Sequence, residues 1–189
     1  MFEKYLMNQK SKITHYYAGR LFLAFLSVAV FKPSQAGWLE PVEPLRMAPL
    51  IELIDTKGDI YRLSTMAGKV VLVNFWATWC PPCIEEMPSL VRLSNSIDQS
   101  RFAILAVNVQ EKQRRVQQFA TQLGLVFPVL LDTSRQVGDA WDITVFPSSF
   151  LVDAEGRIRF KAIGPVQWDS DEVVAVVEKL LAEQDARSP

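Results

Sequence analysis

Between residues 70 and 76 the chain reads Val-Val-Leu-Val-Asn-Phe-Trp, an apolar run broken by a single polar residue. Such a run, rich in β-branched residues and lacking alternation, predicts a strand buried on both faces of a parallel sheet. Ile84-Glu85-Glu86-Met87-Pro88-Ser89-Leu90 follows and reads as a helix. Phe102–Val107 predicts the next strand, and Val116, Phe119, Ala120 and Leu123 fall at the i, i+3, i+4, i+7 spacing of one helix face. Phe127–Leu131 predicts a further strand. Ser149–Val152 and Ile158–Ile163 straddle Asp153-Ala154-Glu155-Gly156, whose turn residues predict an antiparallel hairpin. A last helix carries Val173, Val176, Val177, Leu180 and Leu181 inward, with Asp169 and Glu172 as its capping pair.

Upstream of the long apolar run, Leu50–Ile54 and Ile60–Leu63 flank Asp55-Thr56-Lys57-Gly58-Asp59, a small hairpin by its turn residues. Strand–helix–strand alternation followed by hairpin and helix predicts an α/β fold. Its form is a central mixed sheet flanked by helices, with an N-terminal β-hairpin. One domain over residues 49–183 accounts for these elements. A Pro-rich linker over 37–48 leads into it, and residues 184–189 form a tail.

The N-terminus adds a separate signal. Lys4, Lys10, Lys12 and Arg20 precede an apolar stretch from Leu21 to Phe31, and Ser34 and Ala36 supply small residues at −3 and −1 of a cleavage site. This pattern predicts a cleavable export signal over residues 1–36. The apolar core is about 17 Å long as a helix, against about 30 Å of bilayer hydrocarbon. An uncleaved anchor is the alternative, since Tyr16, Tyr17 and Ala18 extend the stretch past Arg20. Without residues 1–36 the chain holds 15 basic and 20 acidic residues, net −5. That acidity, with no basic stripe interleaved with aromatics, argues against nucleic acid as a partner.

The candidate chemistry lies at the end of the long apolar run. Cys80 and Cys83, in Trp79-Cys80-Pro81-Pro82-Cys83, are the chain's two cysteines. A helix N-terminus offers unpaired N–H groups and a positive dipole end, which favour a thiolate. Three readings are open. A structural zinc site needs four ligands, but no third cysteine exists and His15, the single histidine, lies in the export segment. A structural disulfide across two residues closes too small a loop to constrain the unfolded chain much. A catalytic dithiol fits an oxidising compartment, provided it acts as an oxidant or is kept reduced. Neither a metal nor a cofactor is called for.

The run from Val71 through Cys83, with Glu86-Met87-Pro88 after it, resembles the TlpA/ResA-like thioredoxin-fold oxidoreductases. Ala106-Val107-Asn108-Val109, Phe127-Pro128-Val129-Leu130-Leu131-Asp132 and Phe146-Pro147-Ser148-Ser149-Phe150-Leu151-Val152-Asp153 share that likeness, which runs from about residue 47 to about 182. The resemblance implies an exported or membrane-tethered thiol–disulfide exchanger. Many members are reductants and several serve cytochrome c maturation.

Within this frame Cys80 is the exposed, attacking thiol and Cys83 the resolving one. Pro81 and Pro82 fit the first helical turn, where N–H groups have no intrahelical partner to lose, and stiffen the loop. Glu86 lies three residues after Cys83 on a face continued by Leu90, Leu93 and Ile97. A carboxylate on an apolar stripe beside a cysteine can hold a raised pKa and move its proton. The matching glutamate of the family is an active-site acid. Glu85, on the side of Ser89 and Arg92, reads as solvated. Asn74 stands where thioredoxins proper carry an acid, and Asn cannot titrate.

The family likeness makes Pro147 a cis proline facing the cysteines and presenting backbone to substrate. Phe146 before it, and Ser148-Ser149 in place of a Thr-Thr pair, border the expected docking groove. Trp79 reads as groove wall and Trp76 as core; Pro88 reads as a kink in the helix. Gln110–Arg115 is either a recognition segment or a polar helix start. The expected partners are a protein disulfide substrate and an inner-membrane thiol donor, in a periplasmic or other extracytoplasmic location, with the chain a monomer. A disulfide oxidant or isomerase is the alternative enzyme. A copper chaperone is a third reading, weakened because the exported part has no histidine beside the thiols.

Overall fold

In the computed structural model, residues 38–186 are described, and the proposed export segment lies outside them. Strand β4, Val70–Trp76, is buried at every residue, as its unbroken apolar run predicts. It is flanked by β5, Phe102–Val109, in parallel, and by β7, Ser148–Val152, antiparallel. The remaining strands are β1 (Glu40–Met47), β2 (Glu52–Ile54), β3 (Ile60–Arg62), β6 (Val129–Asp132) and β8 (Arg157–Ile163). The central mixed sheet has the order β1-β8-β7-β4-β5-β6, and β2 and β3 pair separately as the expected hairpin.

Side chains of a strand alternate between its two faces, so β4 feeds two layers. Val70, Leu72 and Trp76 join a cluster with Met87, Leu90 and Leu93 of helix α1 (Pro81–Ser96). Val116 of α2 (Gln113–Gln122) and Val173, Val177, Leu180 and Leu181 of α4 (Asp171–Asp185) pack into the same cluster. Val71, Val73 and Phe75 face the other way, onto Ile51, Leu63, Ile143 and Val137 of the short helix α3 (Gln136–Ala140). On this second face Trp141 packs on Phe75 and Phe150 at ring separations of 5.5 and 5.0 Å. Each fully buried Leu or Phe side chain contributes roughly 1.5–3 kcal/mol through removal from water, so this two-sided core dominates the fold's stability.

Three expectations need correcting. The stretch read as a linker holds β1, which pairs antiparallel with β8 at the sheet edge, with a register shift between Pro41 and Arg46. Most of its residues are exposed, and its prolines sit where an edge strand can spare a donor, so it lacks the apolar signature of an inner strand. The cap of α4 is Ser170, whose hydroxyl accepts from the Val173 N–H; Asp169 instead pairs with Arg92. The third correction is that α4 runs on to Asp185, into the stretch read as a tail from residue 184. Helix α3 and a 3-10 turn at Leu63–Met66 are too short to present a helical period.

Candidate active site

Cys80 and Cys83 form a disulfide at the point where β4 gives way to α1. Cys80 is the N-cap of α1, Pro81 and Pro82 open its first turn, and the backbone N–H of Cys83 points at Cys80 Sγ from 3.3 Å. An N-terminal N–H without an intrahelical partner thus finds the one sulfur placed to carry negative charge. Cys80 is only 4% exposed and Cys83 fully buried, which corrects the expectation of an exposed Cys80. In the oxidised pair the Cys80 sulfur is bonded to its mate, within the same apolar cluster as Trp76 and Met87.

The wall beside the disulfide is apolar. Trp79 is 61% exposed and meets Phe146 edge-on at 5.7 Å. The Phe146–Pro147 peptide is cis. Ser148 and Ser149 do not border a groove: both are buried, Ser148 donating to the Val145 carbonyl and Ser149 accepting from Asn74. Trp76 is core, as expected. Pro88 lies within α1, which continues through it to Ser96.

Glu86 is 3% exposed and sits in a nest of donors. Asn74 Nδ2 donates to its Oε1 at 2.7 Å, and the Val166 N–H and the Trp168 indole N–H donate to its Oε2 at 3.0 and 3.1 Å. Burial pushes its pKa up to about 7, against the pull of the three donors. Glu85 is exposed, but Ser89 is buried, accepting from the Trp168 backbone N–H and donating to the Glu86 carbonyl. The Ser89 hydroxyl and the Glu86 carboxyl therefore clip the chain after β8 onto α1.

A second set of residues, not foreseen from sequence in this arrangement, grips the loop before Cys80. Glu111 accepts from both the backbone N–H and the hydroxyl of Thr78, and from Asn108 Nδ2. Arg115 donates to the Thr78 hydroxyl at 2.6 Å and pairs with Glu111 at 3.2 Å. The segment Gln110–Arg115 thus reaches the site as a brace. Its only sequence signal was polarity at a helix start; the long-range pairing across β4 and β5 is invisible without the fold.

A family model described as AhpC/TSA matches residues 44–161. The chain belongs to the AhpC/TSA family. Among the relatives of this AhpC/TSA chain, the thiol-disulfide oxidoreductase ResA of Geobacillus kaustophilus is 42% identical over 112 residues, 59% of this chain and 64% of that protein. The match therefore spans less than two thirds of that relative. ResA of Bacillus thuringiensis is 32% identical over 147 residues, 76% of this chain and 85% of the relative. A thiol:disulfide interchange protein of the thioredoxin family from Chlorobium tepidum superposes with a TM-score of 0.63 at 28% identity, covering 75% of this chain and 97% of that one. The fold is thioredoxin-like.

Proposed function

We propose that the chain is an exported thiol–disulfide oxidoreductase that reduces disulfides in other proteins. One observation carries the reading: a Cys80–Cys83 disulfide at a helix N-terminus, with the Cys83 N–H directed at Cys80 Sγ. The ResA relatives, named thiol-disulfide oxidoreductases, support the exchange chemistry.

In the reduced enzyme Cys80 is the thiolate. A free cysteine titrates near ~8.5, and helix N-termini lower this to about 3.5–7.5. Cys80 Sγ attacks one sulfur of the target disulfide; the new S–S bond forms as the target's own breaks, and the leaving sulfur takes a proton. Glu86 removes the Cys83 proton, and Cys83 then attacks Cys80 Sγ. The Cys80–Cys83 disulfide closes and the second target thiol leaves, so two electrons have passed to the target. Trp79, Pro81, Pro82 and Phe146 form the surface on which the target docks, with the buried Pro147 behind Phe146. A thiol donor of the inner membrane re-reduces the pair, in an extracytoplasmic compartment, and cytochrome c maturation is the process such chemistry would serve.

The test is a Cys83→Ser variant of the chain. It is expected to accumulate mixed disulfides with its target through Cys80, releasable by dithiothreitol. The reduction potential of the wild-type pair is expected near the reductant end of the fold's range, about −270 mV rather than about −120 mV. No trapped partner together with an oxidant-like potential would overturn the reductase reading.

A further inference from the structure

The hydrogen bonds around Glu86 suit only its ionised form. Oε2 already receives the Val166 and Trp168 N–H groups, and neither can accept a proton in return. A proton on this carboxyl must therefore sit on Oε1, which faces Asn74 Nδ2, a donor. Two donors cannot share that contact. Asn74 Oδ1, meanwhile, is buried with no hydrogen-bond partner among the described residues, on a residue with no exposed surface. The other neighbour of Asn74 Nδ2 is the Ser149 hydroxyl at 2.9 Å, a group that donates as readily as it accepts.

We propose that Asn74 is a positioning residue for Glu86: its side-chain amide turns over as the carboxyl gains or loses a proton, and the Ser149 hydroxyl reverses with it. With Glu86 ionised, Nδ2 donates to Oε1 and to Ser149 Oγ. With Glu86 protonated, Oδ1 occupies the same place and accepts from both. One amide atom is without a partner in either orientation, so the proton on Glu86 decides between them. An aspartate here would repel the carboxylate, and a leucine would serve neither form. The amide thus keeps Glu86 satisfied in both states that a proton-transferring carboxyl must visit, which is where the inference rests on the reading of Glu86 given above.

Among the described residues no charged side chain enters this contact. On α1 the near titratable groups are Cys83, held in the disulfide, and Glu85, which is exposed. Strand β4 brings Asn74, β7 brings Ser149, and the segment after β8 brings Val166 and Trp168. Asp169, next in the chain, faces Arg92 on the surface. Burial and these neutral donors set the Glu86 titration, with no ionised neighbour contributing.

The experiment follows Glu86 and Asn74 by NMR in the oxidised full chain, where no thiol titrates. The Glu86 carboxyl carbon and the Asn74 side-chain amide nitrogen are recorded from about pH 5 to about pH 9, a window that brackets a carboxyl raised by burial. Both are expected to shift with one shared midpoint. An Asn74 amide that stays flat while Glu86 titrates overturns the proposal and leaves Glu86 free to act as a base. A Glu86 carboxyl that does not titrate in this range also overturns it, and the exchange rate of Glu86→Gln then judges the base reading separately. Asn74→Leu is expected to raise the Glu86 midpoint by about one pH unit, because a charge-assisted hydrogen bond to the anion is worth more than the one lost from the acid. Ser149→Ala is expected to move it by less than about half a unit, since the hydroxyl serves both orientations alike. A larger shift in that variant would show that Ser149 favours one state and contradict the paired reversal.

Discussion

Glu111 stands in the loop after β5, yet its carboxylate accepts from the backbone N–H of Thr78 at 2.6 Å, two residues before Cys80. The same carboxylate accepts from the Thr78 hydroxyl and from Asn108, and Arg115 closes the ring by donating to that hydroxyl. The backbone that delivers Cys80 to the helix terminus is thus fixed by side chains from the neighbouring strand's loop. Glu111→Ala leaves the Thr78 N–H and the Asn108 amide without an acceptor, which costs on the order of 1–3 kcal/mol. Urea unfolding is expected to show a lowered midpoint with an unchanged slope, and disulfide exchange is expected to slow. An unaltered midpoint and rate would mean that water replaces the carboxylate and the brace carries no weight.

Exposed Trp79 meets Phe146 edge-on, and Phe146 is a half-buried ring packed against both core clusters. Trp79→Ala removes a large apolar contact face that a docked chain would otherwise cover. Stability is expected to change little, since the side chain is mostly in water already. The value of kcat/KM for a protein disulfide is expected to fall about tenfold, equivalent to ~1.4 kcal/mol of binding. Reduction of a small disulfide such as oxidised glutathione should be nearly unaffected. Equal losses on both substrates would place Trp79 in the chemistry instead of the docking surface.

What could be read from sequence divides along physical lines. β4, β5, the β7–β8 hairpin and the apolar faces of the helices were legible because burial writes itself into local patterning. β1 was not, because an edge strand rich in proline and polar residues looks like a linker until β8 is seen beside it. At the site, Cys80, Cys83 and Glu86 stood out by spacing along one helix. Trp168, Thr78 and Glu111 did not, since their partners lie 82 residues away in one case and 33 in the other. The buried state of Ser89 was missed for the same reason: Trp168 covers a face of α1 that would otherwise be solvated.

The start of α4 separates two side chains that look alike in sequence. Ser170 accepts from the Val173 N–H and satisfies an otherwise orphaned donor, whereas Asp169 lies in a surface ion pair with Arg92. Ser170→Ala is expected to cost ~1 kcal/mol, within the range of about 0.5–2 for lost N-caps. Asp169→Ala removes one exposed ion pair and is expected to cost under ~1 kcal/mol. Thermal or urea unfolding of the two variants side by side checks the order. If Asp169→Ala proves the more damaging, the cap is Asp169 after all.

Glu86 makes the fold's stability depend on pH in an unusual direction. Its pKa in the folded chain stands at about 7, raised by burial from 4.5. Between these values the folded state holds a proton that the unfolded state has released, so stability falls as pH rises through this window and levels off above it. The fall is on the order of 3 kcal/mol, at ~1.36 kcal/mol for each pH unit of separation. Glu86→Gln, which keeps the shape of the acid but cannot ionise, is expected to lose this component. The stability difference between variant and wild type, measured by urea unfolding of the oxidised proteins, should therefore move in the variant's favour by about that amount from pH ~5 to pH ~8. The same variant is expected to exchange disulfides more slowly, because on the proposed mechanism Cys83 loses the base that takes its proton. A difference that stays constant across this range would show that Glu86 is ionised throughout, and a base already ionised at pH ~5 is too weak to deprotonate a buried thiol efficiently.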